Sequence, residues 1–317
     1  MIAAIAQQIK QGNSFLIASH SSPDGDAIGS TLALSLALRL MGKEAVALNV
    51  DGVPDTFAFL PGADELVTSI APTRHYDVGF VLDAGELKRA GVPVADYCTT
   101  LINIDHHPHS DFGDICYVDT SASATAALIY RILKACGFTL SLDVATSLYT
   151  AILSDTGSFR YSNADPEAFT IAGELVGMGI DTWDIASRLY ESQPAQRMML
   201  LSLVLATLEI SKCGNYASVT MSTEMLDAAE ARAEDTDGFV NYPRAIQGVE
   251  VAVFFRQINQ RQTKVGFRSR GAVDVGEFAR KLGGGGHHNA AGVTIDGTLE
   301  DVRHTVLRLL EQYFASA

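Results

Sequence analysis

The chain has 317 residues, 47% of them hydrophobic, and 37 aspartates and glutamates against 23 lysines and arginines, a net charge of −14. That balance argues against a generic grip on long duplex nucleic acid, which needs a basic face, but not against a small anion held by metal ions and a few arginines. A chain of this size buries a full core and divides naturally into two domains, and no apolar run is long enough for a membrane span.

The start, apolar but broken by Gln7, Gln8 and Lys10, reads as an amphipathic helix rather than a signal peptide. Residues 15–18 read as a buried strand. Residues 27–41, with Leu32, Leu36 and Leu40 at helical spacing, read as a helix stopped near Gly42. Between them lies His20-Ser-Ser-Pro-Asp24-Gly-Asp26, an imidazole and two carboxylates on a strand-to-helix loop. These ligand types suit a borderline divalent metal. The alternation Asp-Gly-Asp points two carboxylates apart, which suits two ions better than one. The alternative is an ordinary turn, with Asp26 capping the helix.

Further strands are expected over 44–50, 78–82 and 101–104, with a packed loop over 54–61 carrying Phe57, Phe59 and Leu60. Asp83 stands at the end of the third strand and Asp105-His106-His107 at the end of the fourth. Strands alternating with helices imply a parallel sheet covered on both faces, whose ligands gather beyond the carboxyl ends of the strands. Every acid and histidine named so far falls there. Helices follow over 123–136 and 142–153, the second running into Ser154-Asp155-Thr156-Gly157, which alone fits a cap and turn. Asp165-Pro166 opens another helix, and 182–190 continues the helical region. Cys98, Cys116, Cys136 and Cys213 lack paired spacing and read as core thiols of a cytoplasmic protein.

Near residue 191 the character changes. A helix over 194–209 is expected to bridge to a second sheet with strands at 217–221, 249–256 and 264–268. A charged helix and loop cover 224–236. A short helix from Asp274 ends in Gly283-Gly-Gly-Gly286-His287-His288-Asn289-Ala-Ala-Gly292. Four consecutive glycines read as an anion-binding backbone rather than as packing, with a flexible hinge as the alternative. A helix over 299–314 closes the chain.

These motifs together resemble the DHH phosphoesterase superfamily, named for the triplet that stands here as Asp105-His106-His107. Its other motifs appear as His20 to Asp26, Leu82-Asp83 and Ser154 to Gly157. The second half resembles the DHH-associated domain, with Gly284-Gly285-Gly286-His287 as its signature. Phe159-Arg160-Tyr161-Ser162-Asn163 and Val240-Asn241-Tyr242-Pro243 are similar to the stand-alone nano-RNases that are also pAp phosphatases.

The resemblance implies a catalytic domain over 1–190 and a linker helix with a smaller α/β substrate-binding domain over 191–317, with a cleft between them. It implies two divalent ions, manganese before magnesium, cobalt or iron. His20, Asp24 and Asp83 would hold one, and Asp26, Asp83, His106 and Asp155 the other. Asp105 would orient a ligand histidine, and His107 would face the substrate phosphate. Arg268, Arg270, the glycine amides of 284–286 and His287 are the expected substrate contacts, with Arg89 and Arg160 in the first domain as weaker ones. His288 stands where the subgroup commonly has a basic residue, so phosphate contact there would be weaker or pH-dependent. The implied activity is hydrolysis of short single-stranded oligoribonucleotides to mononucleotides, and removal of the 3'-phosphate of pAp. A homodimer is one expected state, and no membrane partner is expected. The rivals are a phosphodiesterase for linear or cyclic dinucleotides and a non-catalytic nucleotide sensor, whose mark, loss of metal ligands, is absent.

Overall fold

In the computed structural model, which describes residues 1–108, 110–286 and 288–316, the chain divides into two units, Met1–Ser192 and Gln193–Ala317. The first begins with the amphipathic helix α1 (Ile2–Gln11), whose Ile5 and Ile9 are buried. Strand β1 (Ser14–Ser19) leads into α2 (Gly25–Leu40), and β2 (Glu44–Leu48), β3 (Tyr76–Leu82), β4 (Cys98–Asp105) and β5 (Ile115–Val118) complete a parallel sheet of order β2-β1-β3-β4-β5. The fifth strand was not expected from sequence, although Ile115-Cys116-Tyr117-Val118 is a short apolar run: it is only four residues long and only partly buried at the sheet edge.

The order reverses between β1 and β3, the switch point where open α/β sheets place their ligands. Helices α3 (Thr125–Ala135), α4 (Leu142–Asp155), α5 (Pro166–Gly177) and α6 (Thr182–Ala186) follow, and a π-helical turn at Ser187–Glu191 replaces the end of the expected 182–190 helix. Helix α2 is buried along most of its length against α4. A Cβ on Gly29 would come 2.6 Å from the Ser147 carbonyl, so glycine is what lets the two helices approach. This contact fixes the start of α2 against the end of α4, and so Asp26 against Asp155.

The second unit holds α7 (Ala195–Leu205), β6 (Glu209–Ile210), β7 (Tyr216–Met221), α8 (Thr223–Ala228), α9 (Asn241–Arg244), β8 (Val251–Asn259), β9 (Gln262–Ser269), α10 (Val275–Lys281), β10 (Gly285–Gly286), β11 (Ala290–Asp296) and α11 (Leu299–Ser316). Its mixed sheet runs β10-β11-β9-β8-β7-β6. Helices α10 and α11 share a core with one face, through Val253, Phe255, Val265, Phe267 and Val306. On the other face Leu200, Leu201, Val204, Phe239 and Phe254 form a second core.

The glycine run is part of the sheet. Gly285 and Gly286 pair with Gly292 and Ala291 as an edge strand. A Cβ on Gly284 would lie 2.3 Å from the Gly292 carbonyl, and one on Gly286 2.5 Å from the Ala290 carbonyl. Two of the four glycines are therefore there for close strand packing, contrary to the sequence expectation. Strand β11 was missed because its Ala-Ala-Gly start carries no apolar alternation.

Candidate metal centre

Each strand end delivers its group to one place. Asp24 caps α2, its Oδ1 accepting from the amides of Asp26 at 3.1 Å and Ala27 at 3.0 Å. The helix cap is therefore Asp24, not Asp26. Asp26 lies inside the first turn, its side chain buried, and accepts from Ser30 Oγ at 2.9 Å. Asp83 follows β3 with φ +58°, a left-handed conformation uncommon outside glycine that turns its buried carboxylate into the cluster. His106 and His107 follow β4, and Asp155 ends α4.

His20 Nε2 lies 3.9 Å from Asp24 Oδ1 and 3.7 Å from Asp83 Oδ2. His106 Nε2 lies 3.5 Å from Asp83 Oδ1, 3.8 Å from Asp155 Oδ2 and 3.9 Å from Asp26 Oδ2. Two groups result, His20–Asp24–Asp83 and Asp26–His106–Asp155, each with its ligand atoms within 4.8 Å of one another, and Asp83 faces both. A third group, Asp83–His106–His107, overlaps them.

Hydrogen bonding sets the tautomers. The Nδ1 of His20 sits 2.9 Å from the Ser21 carbonyl and that of His106 3.2 Å from the Ala122 carbonyl. Both Nδ1 atoms must carry the proton to donate to these carbonyls, which leaves each Nε2 lone pair aimed at carboxylate oxygens. Lone pairs facing carboxylates across 3.5–3.9 Å form a site completed by a cation. The charges agree. Burial first, then the charges of Asp83 and Asp155, raise Asp26 well above the usual carboxylate range. Burial, with the charges of Asp24 and Asp83 and against the pull of His106, raises Asp155 to about 7. Burial works against protonated His20 and His106, but the surrounding carboxylates raise both. Among the described residues no lysine or arginine pairs with any of these acids, so the donor set fits divalent metal.

Asp105 holds His107 rather than His106. Its Oδ1 accepts from His107 Nδ1 at 2.6 Å and from the His107 amide at 2.9 Å, while Oδ2 accepts from the Gly85 amide at 2.6 Å. Burial opposes the charge on His107, but Asp105 and Asp83 raise it to about 11. A cationic imidazolium thus stands beside the acid cluster.

Several supporting residues escaped the sequence reading. The Thr125 and Ala126 amides, at the start of α3, donate to Asp26 at 2.6 and 3.0 Å, and Thr125 Oγ1 donates to Asp83 at 3.1 Å. The small polar run Ser121-Ala-Ser-Ala-Thr125 before an apolar helix was the available signal. Asn163 Nδ2 donates to the Ser123 carbonyl at 2.8 Å and to Asp155 Oδ2 at 3.1 Å. Groups that orient metal ligands commonly contribute 10–100-fold in affinity or activity. Asn163→Ala is accordingly expected to weaken manganese binding by about that factor, read by titration calorimetry, with the thermal melt of the metal-free protein little changed.

Arg89 flanks the cluster: its carbonyl accepts from the Ser21 amide at 2.6 Å, and a Cβ on Gly85 would lie 3.3 Å from its Nη1 and 3.9 Å from His107 Cβ. Arg160 is exposed, its Nε donating to the Gly157 carbonyl at 2.7 Å. Arg268, Arg270 and Gly284–Gly286 belong to the second unit, Arg268 on β9 and Arg270 just after it. His287 lies outside the described residues. His288 spends its ring locally, with Nε2 3.1 Å from the Gly271 carbonyl and Nδ1 3.6 Å from Asp274.

Residues 14–152 match the DHH family N-terminal domain and residues 215–316 the DHHA1 domain. The chain is 37% identical over 297 residues to the bifunctional oligoribonuclease and PAP phosphatase NrnA of Thermus thermophilus, covering 93% of this chain and 87% of that protein. The chain belongs to the DHH family. It is also 29% identical over 299 residues to the NrnA of Bacillus subtilis, covering 93% of each. An exopolyphosphatase-related protein of Bacteroides fragilis has a solved structure that superposes with a TM-score of 0.93 at 30% identity, covering 98% of this chain and 96% of that one. As a DHH protein the chain carries its triplet at the end of β4, where Asp105 orients His107 and His106 joins the acid cluster.

Proposed function

We propose that this DHH protein is a metal-dependent phosphoesterase that cleaves short oligoribonucleotides to mononucleotides and removes the 3'-phosphate of pAp. The observation that carries the reading is the pair of acid–histidine groups sharing Asp83, in a chain similar along nearly its whole length to proteins named for those two activities. His20, Asp24 and Asp83 hold one ion and Asp26, Asp83, His106 and Asp155 the other, with manganese as the metal. Bound there, two divalent ions supply Lewis-acid charge and make a water nucleophilic at neutral pH.

The side chains do the rest. The Asp24 cap and the α3 amides fix the carboxylates, so little reorganisation accompanies reaction. His107, held cationic by Asp105, offers a proton and a positive charge to a phosphate oxygen. Arg89 and Arg160, with Arg268, Arg270, the 284–286 amides and His287 of the second unit, are proposed to hold the remaining substrate charge. Among the described residues no helix is long and apolar enough to cross a membrane. The four cysteines are free, which supports a cytoplasmic setting.

The test is a panel assay with manganese: di- to tetraribonucleotides, a twenty-residue strand, pAp, cyclic di-AMP and pyrophosphate. Short oligoribonucleotides and pAp are expected to turn over fastest per molecule. Equal or faster cleavage of the twenty-residue strand would instead indicate a processive exonuclease, and cyclic di-AMP as the best substrate would replace the reading with a cyclic-dinucleotide hydrolase.

A further inference from the structure

In the second unit, one face of the sheet carries a feature that packing does not explain. Arg256 on β8 and Lys264 on β9 are direct cross-strand partners. Like charges placed opposite one another are destabilising in a sheet. Neither forms an ion pair among the described residues, and the acids they sense, Asp237 and Glu234, act only at longer range. Arg256 Nη1 donates to the Ala233 carbonyl at 3.0 Å and to Thr236 Oγ1 at 3.3 Å, which fixes the guanidinium on the sheet face it shares with Lys264. Burial, then the Arg256 charge, lowers Lys264 below its ordinary range. A pre-positioned pair of this kind is relieved by an anion.

The neighbouring surface is open. Residues 264, 266 and 268 share one face because side chains alternate along a strand. On that face the apolar cluster of Leu200, Leu201 and Val204 of α7 with Phe239 and Val240 includes Val219 and Met221 of β7 and Phe254 of β8. Beyond it, Gly266, Gly292 and Gly285 stand opposite one another across β9, β11 and β10. A Cβ on Gly266 or Gly285 would meet nothing within 4 Å, so packing does not require glycine at either position. The row forms a floor without side chains, exposing backbone beside two cations.

We propose that Arg256 and Lys264 form a subsite for the non-scissile 5'-phosphate of the substrate, with the Gly266–Gly292–Gly285 row as the floor beneath the nucleoside. This rests on the function proposed above. pAp and a 5'-phosphorylated dinucleotide share one substructure, a nucleoside with the phosphorus under attack on its 3' side and a second phosphate on its 5' side. A protein that accepts both needs a station for that common 5'-phosphate, separate from the reacting centre.

The test compares the 5'-phosphorylated dinucleotide pApA with unphosphorylated ApA, and measures binding of AMP against adenosine by calorimetry. Manganese-loaded wild type is expected to favour pApA. In Lys264→Ala the KM for pApA rises about ten- to hundredfold, the cost of one charge-assisted hydrogen bond, with kcat largely kept and a smaller effect on ApA. Lys264→Arg restores the preference, and the salt dependence of kcat/KM for pApA flattens by about 0.7 in the log–log slope in Lys264→Ala. An unchanged pApA-to-ApA ratio in Lys264→Ala, or an equal loss of kcat on both, overturns the subsite. Wild type that turns over none of pApA, ApA and pAp overturns the functional reading instead. The calorimetry then still decides the subsite: AMP must bind more tightly than adenosine in wild type and lose that advantage in Lys264→Ala.

Discussion

Asp83→Ala is expected to reduce turnover to background and to abolish most binding of added divalent metal, with manganese as the probe. Among the described residues, Asp83 is the one carboxylate that faces both His20, at 3.7 Å, and His106, at 3.5 Å. It also accepts from Thr125 Oγ1 and lies 3.2 Å from His107 Nδ1. Loss of an outer partner of a metal ligand costs about 10–100-fold, so loss of the carboxylate proposed as the ligand shared by two ions is expected to cost more. Burial opposes ionisation of Asp83, yet the imidazoles of His107, His20 and His106 around it hold it well below the usual carboxylate range, so it stays charged across the working pH range. The measurements are metal content after dialysis and turnover of a dinucleotide, with circular dichroism to confirm folding. A folded Asp83→Ala protein that retained two ions and normal turnover would remove this residue, and the two-ion assignment, from the site.

The second large effect is a thermal stabilisation by manganese that grows with pH. In the metal-free protein Asp155 is raised to about 7, against an ordinary value of 3.8. Between those values the folded chain keeps a proton that the unfolded chain has released, so stability falls as pH rises through that window. Asp26, raised by burial and its acidic neighbours, acts in the same direction, and so do His20 and His106, whose raised values lose their stabilising contribution as pH rises through them. Metal binding has the opposite slope, because carboxylates and imidazoles must be deprotonated to act as ligands. The gap between melting temperatures with manganese and with EDTA should therefore widen from pH 5 to pH 8. At a hundredfold excess over Kd it should reach about 2.7 kcal/mol, or about 5–10 °C for a unit of this size. A gap that stays constant or narrows over that range would contradict the assigned ligands.

The first unit's cluster of acids and histidines was legible because its members obey a local rule. Runs such as Phe15 to Ala18 and Val78 to Leu82 mark central strands by composition alone, and polar residues just beyond them fall at the sheet's carboxyl edge. The edge elements were not legible. β5 is a partly buried run of only four residues, Ile115 to Val118, too short to stand out as a strand, and β10 is a pair of glycines with no apolar signal; each pairs with a neighbouring strand that offers it hydrogen bonds.

By itself the sequence determined the two-part α/β organisation and the strand ends that carry acids and histidines, because both follow from the periodicity and order of residues near one another in the chain. Tertiary structure alone decided how these groups divide their work. Asp105 reaches His107 and not His106 because β4 ends with His106 turned to the Ala122 carbonyl and His107 folded back on Asp105. Thr125 serves Asp26 and Asp83, and Asn163 serves Asp155, because α3 and the loop after α4 pack there. Arg256 meets Lys264 only through the register of β8 on β9. Each of these depends on a hydrogen bond or a strand register between distant parts of the chain, which only close packing can specify.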